Sequence, residues 1–200
     1  ANRLVFQRYP FEEPRLQLSI TDGVMRVEDL SGRLFKGKVG LRATLNSRPL
    51  PGLGLSVQLQ GADINQAMRT ALEMDQVTGK LDFTGQFQTA GSSQWDLVNA
   101  LSGKAKIHAA NGLFRGFDMK NFSERLGRLN KAPDFLNLAQ RAFSGGQTSY
   151  QNINGNWSIK NGVAETKDTK ATMDASEATV KGKVHLPAWK MDLRTKLRLT

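Results

Sequence analysis

The 200-residue chain has no cysteine, which excludes a disulfide framework and a thiolate metal site and leaves its redox compartment open. It has only two histidines, His108 and His185. They lie far apart, with no acidic partner at ligand-like spacing, so no metal ligand set and no general base is read at either. No G-x-S-x-G elbow and no H-E-x-x-H helix occurs. The acidic pairs Glu12-Glu13 and Glu28-Asp29 are adjacent residues of strand-like segments. Their side chains are expected on opposite faces, which excludes a ready general acid and base. No stretch approaches the roughly 18 apolar residues of a membrane span. The opening segment, ANRLVFQRYPFEEPRLQLSI, lacks the basic, apolar and small-residue regions of a signal peptide. It begins inside a strand-like run without an initiator Met, as expected of a piece of a longer chain.

What is present is ordinary folded-domain composition with a basic excess. Hydrophobic residues make up 39% and charged residues 23%, enough for one domain or two small ones with a real core. Against 18 acidic residues stand 28 Lys and Arg, a net charge of +10, which favours anionic partners without choosing among them. The basic residues never form a run of five or six, so they read as a solvated face.

The dominant pattern has period two. From Leu34 to Leu45 the odd positions are Phe35, Gly37, Val39, Leu41, Ala43 and Leu45, and the even ones include Lys36, Lys38, Arg42 and Thr44. That alternation predicts a strand with one apolar and one basic face. It recurs in Leu53 to Leu59, Val77 to Phe87, Ile153 to Ile159, Ala178 to Leu186 and Met191 to Leu199. Asp22-Gly23, Asn111-Gly112 and Asn161-Gly162 predict tight hairpin turns, because both residues of a type I′ turn need positive φ. Together these segments predict antiparallel hairpins of about ten or more strands. Asp63 is placed to cap a helix carrying Ile64, Ala67, Met68, Ala71 and Leu72. Ser93 is placed to cap a short one carrying Leu97, Val98 and Leu101. A third helical region runs from Asp118 to about Phe143, broken near Pro133 and ended by Gly145-Gly146.

One phrase, Lys-Gly-Lys-Val, occurs twice, at 36–39 and at 181–184. A phosphate-binding loop needs a longer glycine-rich run leading into a helix, whereas both copies read as strand. The preceding turn signals make a repeated turn, strand, connection and strand the expected unit. Gly37, Gly79, Gly85, Gly155 and Gly182 share the apolar parity, where strand glycines mark bends or the close approach of another surface. Phe35, Phe83, Phe87 and Trp157 lie on the parity opposite the lysines, which disfavours stacked nucleic-acid bases backed by phosphate contacts.

Three segments carry a resemblance to a known family. Residues 99–118 read NALSGKAKIHAANGLFRGFD, residues 148–163 read TSYQNINGNWSIKNGV, and residues 182–192 read GKVHLPAWKMD. In this order they resemble the signature helix and closing strands of the AsmA family, with Met119 where Leu is usual. Gly32 to Gly37, Asp63-Ile64 and Val77 to Leu81 are similar to the segments that precede that signature.

The resemblance implies a Gram-negative envelope protein without enzymatic activity, catalytic residues, metal or cofactor. It implies a periplasmic location, tethered to the inner membrane by a segment outside this sequence. The fold implied is α+β but mostly β, a long curved antiparallel sheet like a groove or half-barrel, capped or filled by a few helices. One domain over 1–200 is expected, with an upstream β-rich segment (1–92), the signature strand pair and helices (93–147), and C-terminal strands (148–200). The family is similar to bridge-like lipid-transfer proteins, so the implied partner is phospholipid or another envelope lipid, and nucleic acid is not expected. The apolar parity then supplies the candidate groove lining: Phe35, Val39, Leu41, Leu81, Phe83, Phe87, Ile107, Trp157, Ile159, Val180, Val184 and Leu186. The competing expectation is a scaffold that binds outer-membrane assembly proteins through a sheet edge.

Overall fold

Alternating apolar and polar residues over eleven segments leave little choice but strands, and the computed structural model orders them as one antiparallel sheet. It describes residues 3–6, 9–47, 49–126, 145–174 and 176–199. The strands are β1 (Arg3–Phe6), β2 (Tyr9–Thr21), β3 (Val24–Leu34), β4 (Gly37–Asn46), β5 (Gly52–Asp63), β6 (Lys80–Ala90), β7 (Ser102–Arg115), β8 (Gln147–Lys160), β9 (Val163–Met173), β10 (Ser176–His185) and β11 (Lys190–Leu199). Their spatial order is their sequence order, so each pairs with the strand before and after it, and β1 and β11 are the edges. Local turn chemistry builds this meander with no crossover connection.

Among the described residues three helices lie in the connections. Helix α1 (Ile64–Leu72) follows β5, with Asp63 accepting from the Gln66 N–H at 3.0 Å as its N-cap. Helix α2 (Gln94–Asn99) follows β6 and starts with a reciprocal capping box between Ser93 and Asp96. Helix α3 (Met119–Leu126) follows β7, where Asp118 accepts from the Asn121 N–H at 2.9 Å. The remainder of the expected third helical region, 127–144, lies outside the described residues.

Two of the three glycine turn signals make the expected hairpins. Asp22-Gly23 and Asn161-Gly162 both have positive φ and join β2 to β3 and β8 to β9. Asn111-Gly112 does not turn the chain: it lies inside β7, with Asn111 at φ 52° as a local irregularity. Conversely, the expected strand from Leu34 to Leu45 is interrupted, because Phe35 (φ 52°) and Lys36 (φ 63°) are the turn between β3 and β4. Neither is a turn-forming type, so nothing local announces the turn. Burial compensates the strained backbone: the Phe35 ring is almost wholly buried and meets Tyr9 edge-on at 6.2 Å.

The two Lys-Gly-Lys-Val phrases therefore differ in place. The first begins in a turn and opens β4, near the β3–β4 connection; the second lies in β10, towards the end that meets the β8–β9 turn. They occupy opposite ends of their hairpins, and the repeat is one of parity rather than of position. In both copies Gly and Val face the apolar side, and the strand lysines the other.

Candidate functional site

Strand register decides which apolar residues meet. One row crosses the sheet from β2 to β11: Leu18, Val27, Ala43, Leu55, Phe87, Gly103, Ile159, Ala164, Val184 and Met191 are successive cross-strand partners. The next row is Leu16, Leu30, Leu41, Val57, Gly85, Ala105, Trp157, Thr166, Gly182 and Leu193. A third holds Val39, Leu59, Phe83, Ile107 and Gly155. A fourth runs Ala62, Leu81, Ala109, Ile153, Ala171, Ala178 and Leu197. Bulges between Leu59 and Ala62 and between Asn154 and Trp157 shift the parity within a strand, so the rows stay in step although the residue numbers change from odd to even.

Of the expected lining residues, Val39, Phe83 and Ile107 share one row, Phe87, Ile159 and Val184 another, and Leu41 and Trp157 a third. Leu81 lies one row nearer α1. Val180 pairs with Thr195 and Thr169, so its row is partly polar. Phe35 and Leu186 are not in strands: Phe35 sits in the β3–β4 turn, and Leu186 follows β10 in the 186–189 turn. The alternation seen in sequence was continuous through both residues, and only the hydrogen-bonded ladder shows where each strand stops.

The face is built from a mixture of small and aromatic residues. Phe83 and Phe87 lie nearly parallel, ring centroids 6.4 Å apart, and fold over Gly85, where any Cβ would collide with both rings. Among the described residues, the substantial packing of each strand is with its sheet neighbours and with the helices, and no second sheet covers the apolar face. Its burial forms three separate clusters instead of one core.

The two rims of the sheet, where strands end, differ sharply. The rim with the β3–β4 turn, α1 and α3 is closed. Ala62 is 0% exposed and Tyr150 2%, while Ile64, Ala109 and Met119 are also buried. The Tyr150 hydroxyl donates to the Thr78 carbonyl at 2.6 Å, its ring packs on Phe114 at 5.0 Å, and burial raises its pKa above that of an ordinary phenol. Asp63 accepts from the Gln66 backbone N–H, which holds its carboxyl below the usual carboxylate range; partial burial opposes this, and Lys36 Nζ at 3.4 Å supports it.

The opposite rim, with the β2–β3 turn, α2 and the 186–189 turn, is open. It exposes Ile20, Leu45, Leu50, Trp95, Trp189 and Met191. Sequence reasoning placed none of these in a site, although the alternation of Leu16, Leu18 and Ile20 and the tryptophan within Pro187-Ala188-Trp189 were there to be read.

On the polar face, a cleft of about 310 Å³ is lined in part by Lys104, Lys106, Lys167, Glu165 and Asp168, so its lysines are largely balanced by acids. His108 is exposed, with Nδ1 2.7 Å from Asn154 Oδ1. Among the described residues no three His, Asp or Glu side chains converge to hold a metal ion, and no helix is long and apolar enough to cross a membrane.

No curated protein and no solved structure matches the chain. The model of the AsmA family matches residues 1–169, which takes in β1 to β8 and part of β9 and stops before the closing strands that the sequence resemblance also included. That stretch covers most of the chain and carries eight complete strands of the sheet, the three helix caps and the signature segment, so the protein belongs to the AsmA family, a family of cell-envelope proteins tied to outer-membrane biogenesis.

Proposed function

We propose that the apolar face is a segment of a lipid-conducting surface in the periplasm, along which acyl chains move past rows of Leu, Val, Phe and Ala while the lysines of the other face meet water. The observation that carries this reading is the unbroken apolar row from Leu18 to Met191, on a sheet that no second sheet covers among the described residues. A soluble domain that leaves a large contiguous apolar surface without a second layer has an apolar partner to cover it. Nothing along the rows offers a charged group at which a headgroup would be held. Movement across the strands, from one edge to the other, therefore meets no polar barrier greater than Thr166 and Thr169. The parent chain acts without catalysis, in transport of phospholipid between the two membranes.

A photo-crosslinking residue at Val39, Phe83 or Val184 is expected to capture phospholipid in cells, and one at Lys38, Thr84 or Lys183 is not. Capture only from the polar face would overturn the reading. A second reading is favoured by the outer edge of β11, which among the described residues has no strand partner and exposes Met191 and Leu193. Such an edge suits addition of a strand from an outer-membrane assembly protein. It predicts crosslinks from Met191 or Leu193 to protein, with the groove positions silent.

A further inference from the structure

The open rim carries an inference independent of what slides along the face. Among the described residues, strand direction brings to it the connections that carry an exposed large apolar side chain outside the strands, apart from that of Met74. The connections are laced to one another along the rim. Ser47 Oγ donates to the Gly23 carbonyl, Gly91 N–H to Pro51, Gly162 N–H to Leu101, and Leu186 N–H to Gly162. The exposed residues are thus held on a fixed frame rather than scattered on loose loops.

Trp189 is the sharpest case. It is 78% exposed, so it contributes little to the core, and its φ of 49° is a backbone conformation that bulky residues avoid. Neither burial nor turn preference accounts for a tryptophan there. Trp95, in the first turn of α2, is 63% exposed, and Ile20 and Met191 are exposed to a similar degree. Lys190 follows the Trp189 turn and Lys160 precedes the β8–β9 turn on the same rim; of the acids there, Asp22 lies in the β2–β3 turn and Asp96 is engaged in its capping box. Tryptophan beside lysine, with aliphatic residues between, is the composition that settles at the boundary of headgroups and acyl chains. The side chains belong to separate turns and do not line a pocket, which fits a broad surface better than a bound peptide.

We infer that this rim seats in the interfacial layer of a bilayer with anionic headgroups, with Trp95 and Trp189 as its anchors. The sheet then stands with its strands pointing towards the membrane and its rows parallel to it, so that within this segment the edge-to-edge path runs along one membrane, with one long margin of the apolar face against the lipid. The protein's net charge of +10 draws the molecule as a whole towards such a surface, and Lys190 stands at the rim itself.

The test uses the chain with vesicles of phosphatidylethanolamine and phosphatidylglycerol, and with phosphatidylcholine vesicles for comparison. Trp157 lies on the apolar face only three residues inside the β8 end of the same rim, so Trp157→Phe serves as the background in which Trp95 and Trp189 are the two probes. With Trp95→Phe and Trp189→Phe used to resolve the signals, Trp95 and Trp189 should shift to the blue and be quenched by brominated acyl chains. Trp95→Ser and Trp189→Ser should each weaken partitioning about tenfold, the scale of losing one buried aromatic. Lys190→Gln should weaken it about fivefold on anionic vesicles alone. Met74→Ser, on the closed rim, should bind as wild type, and circular dichroism should show every variant folded. Three outcomes overturn the inference: no binding to either vesicle in about 50 mM salt, where surface attraction is little screened; binding that Trp95→Ser and Trp189→Ser leave unchanged; or self-association that those substitutions abolish, which would mark a protein interface. The groove reading fails separately, by the absence of crosslinks at Val39, Phe83 and Val184.

Discussion

The two rims of the sheet are made by the same meander and end the same strands, yet one is sealed and the other is not. On the closed rim two connections, β5–β6 and β7–β8, are long enough to hold helices. Helix α1 brings Ile64 and Met68 onto Ala109 and Tyr150 and Ala67 onto Ala62, α3 lies against β8 with Met119 buried, and the two-residue β3–β4 turn puts Phe35 into the same packing. On the open rim the connections are mostly two- to five-residue turns, and α2 lies against β6 without burying Trp95. A short turn has no residues to spare for covering a strand end, so apolar residues there stay in contact with whatever lies beyond. Stability is therefore concentrated on one margin of the molecule and an apolar surface on the other.

The comparison breaks first at Tyr150. Tyr150→Ala on the closed rim should cost about 3–5 kcal/mol, the range for removing a large buried aromatic, read as a lower denaturation midpoint at unchanged slope. A loss below about 1 kcal/mol would show that this rim is not the stable one. Tyr150→Phe keeps the ring and removes only the donor to Thr78, and should cost about 1 kcal/mol.

Asp63 comes next. Asp63→Ala removes the α1 cap and should cost about 1 kcal/mol at neutral pH. Because the folded-state carboxyl titrates below its unfolded value, its charge stabilises the fold above the ordinary carboxylate range. That contribution is lost as the pH falls through the lowered folded value. The difference between wild type and Asp63→Ala in urea unfolding should hold from pH 7 to about pH 5 and shrink below about pH 4. A difference that grows on acidification would reverse the sign and refute the assignment.

The smallest effect belongs to the open rim. Trp189→Gly relieves a left-handed backbone and removes an exposed ring, while glycine adds freedom to the unfolded chain. These terms offset, and unfolding should change by no more than about 0.5 kcal/mol. A loss of 2 kcal/mol or more would place Trp189 in the fold and erase the contrast between the rims.

Much of this was legible in the residues. Alternation with apolar odd positions announced β4, β6 and most of β8, and the Asp63 and Ser93 caps located the starts of α1 and α2, because caps and periodicity are local interactions. Leu101, expected on α2, lies beyond its end at Asn99. Phe35-Lys36 shows the limit. A turn that uses Phe is stable only because the ring finds Tyr9 and the α1 end of the sheet, contacts distant in sequence. Asn111-Gly112 shows the converse, a local turn signal overridden where β7 continues to pair with β8 on both sides of it. The candidate lining residues share a parity that the ladder keeps within strands, while Phe35 and Leu186 lie in turns and join the same packing from there. The open rim escaped notice because exposure belongs to the assembled sheet.

By itself the sequence determined that this chain is a strand-by-strand meander with one apolar and one basic face, since period-two patterning and turn residues act over a few positions. It also carried the family resemblance, in segments whose order is preserved. Only the tertiary structure decided which apolar residues share a row, because bulges shift parity and register is a property of two strands. It alone decided that one margin is sealed and the other open, since that depends on which connections fold back and which are too short to do so.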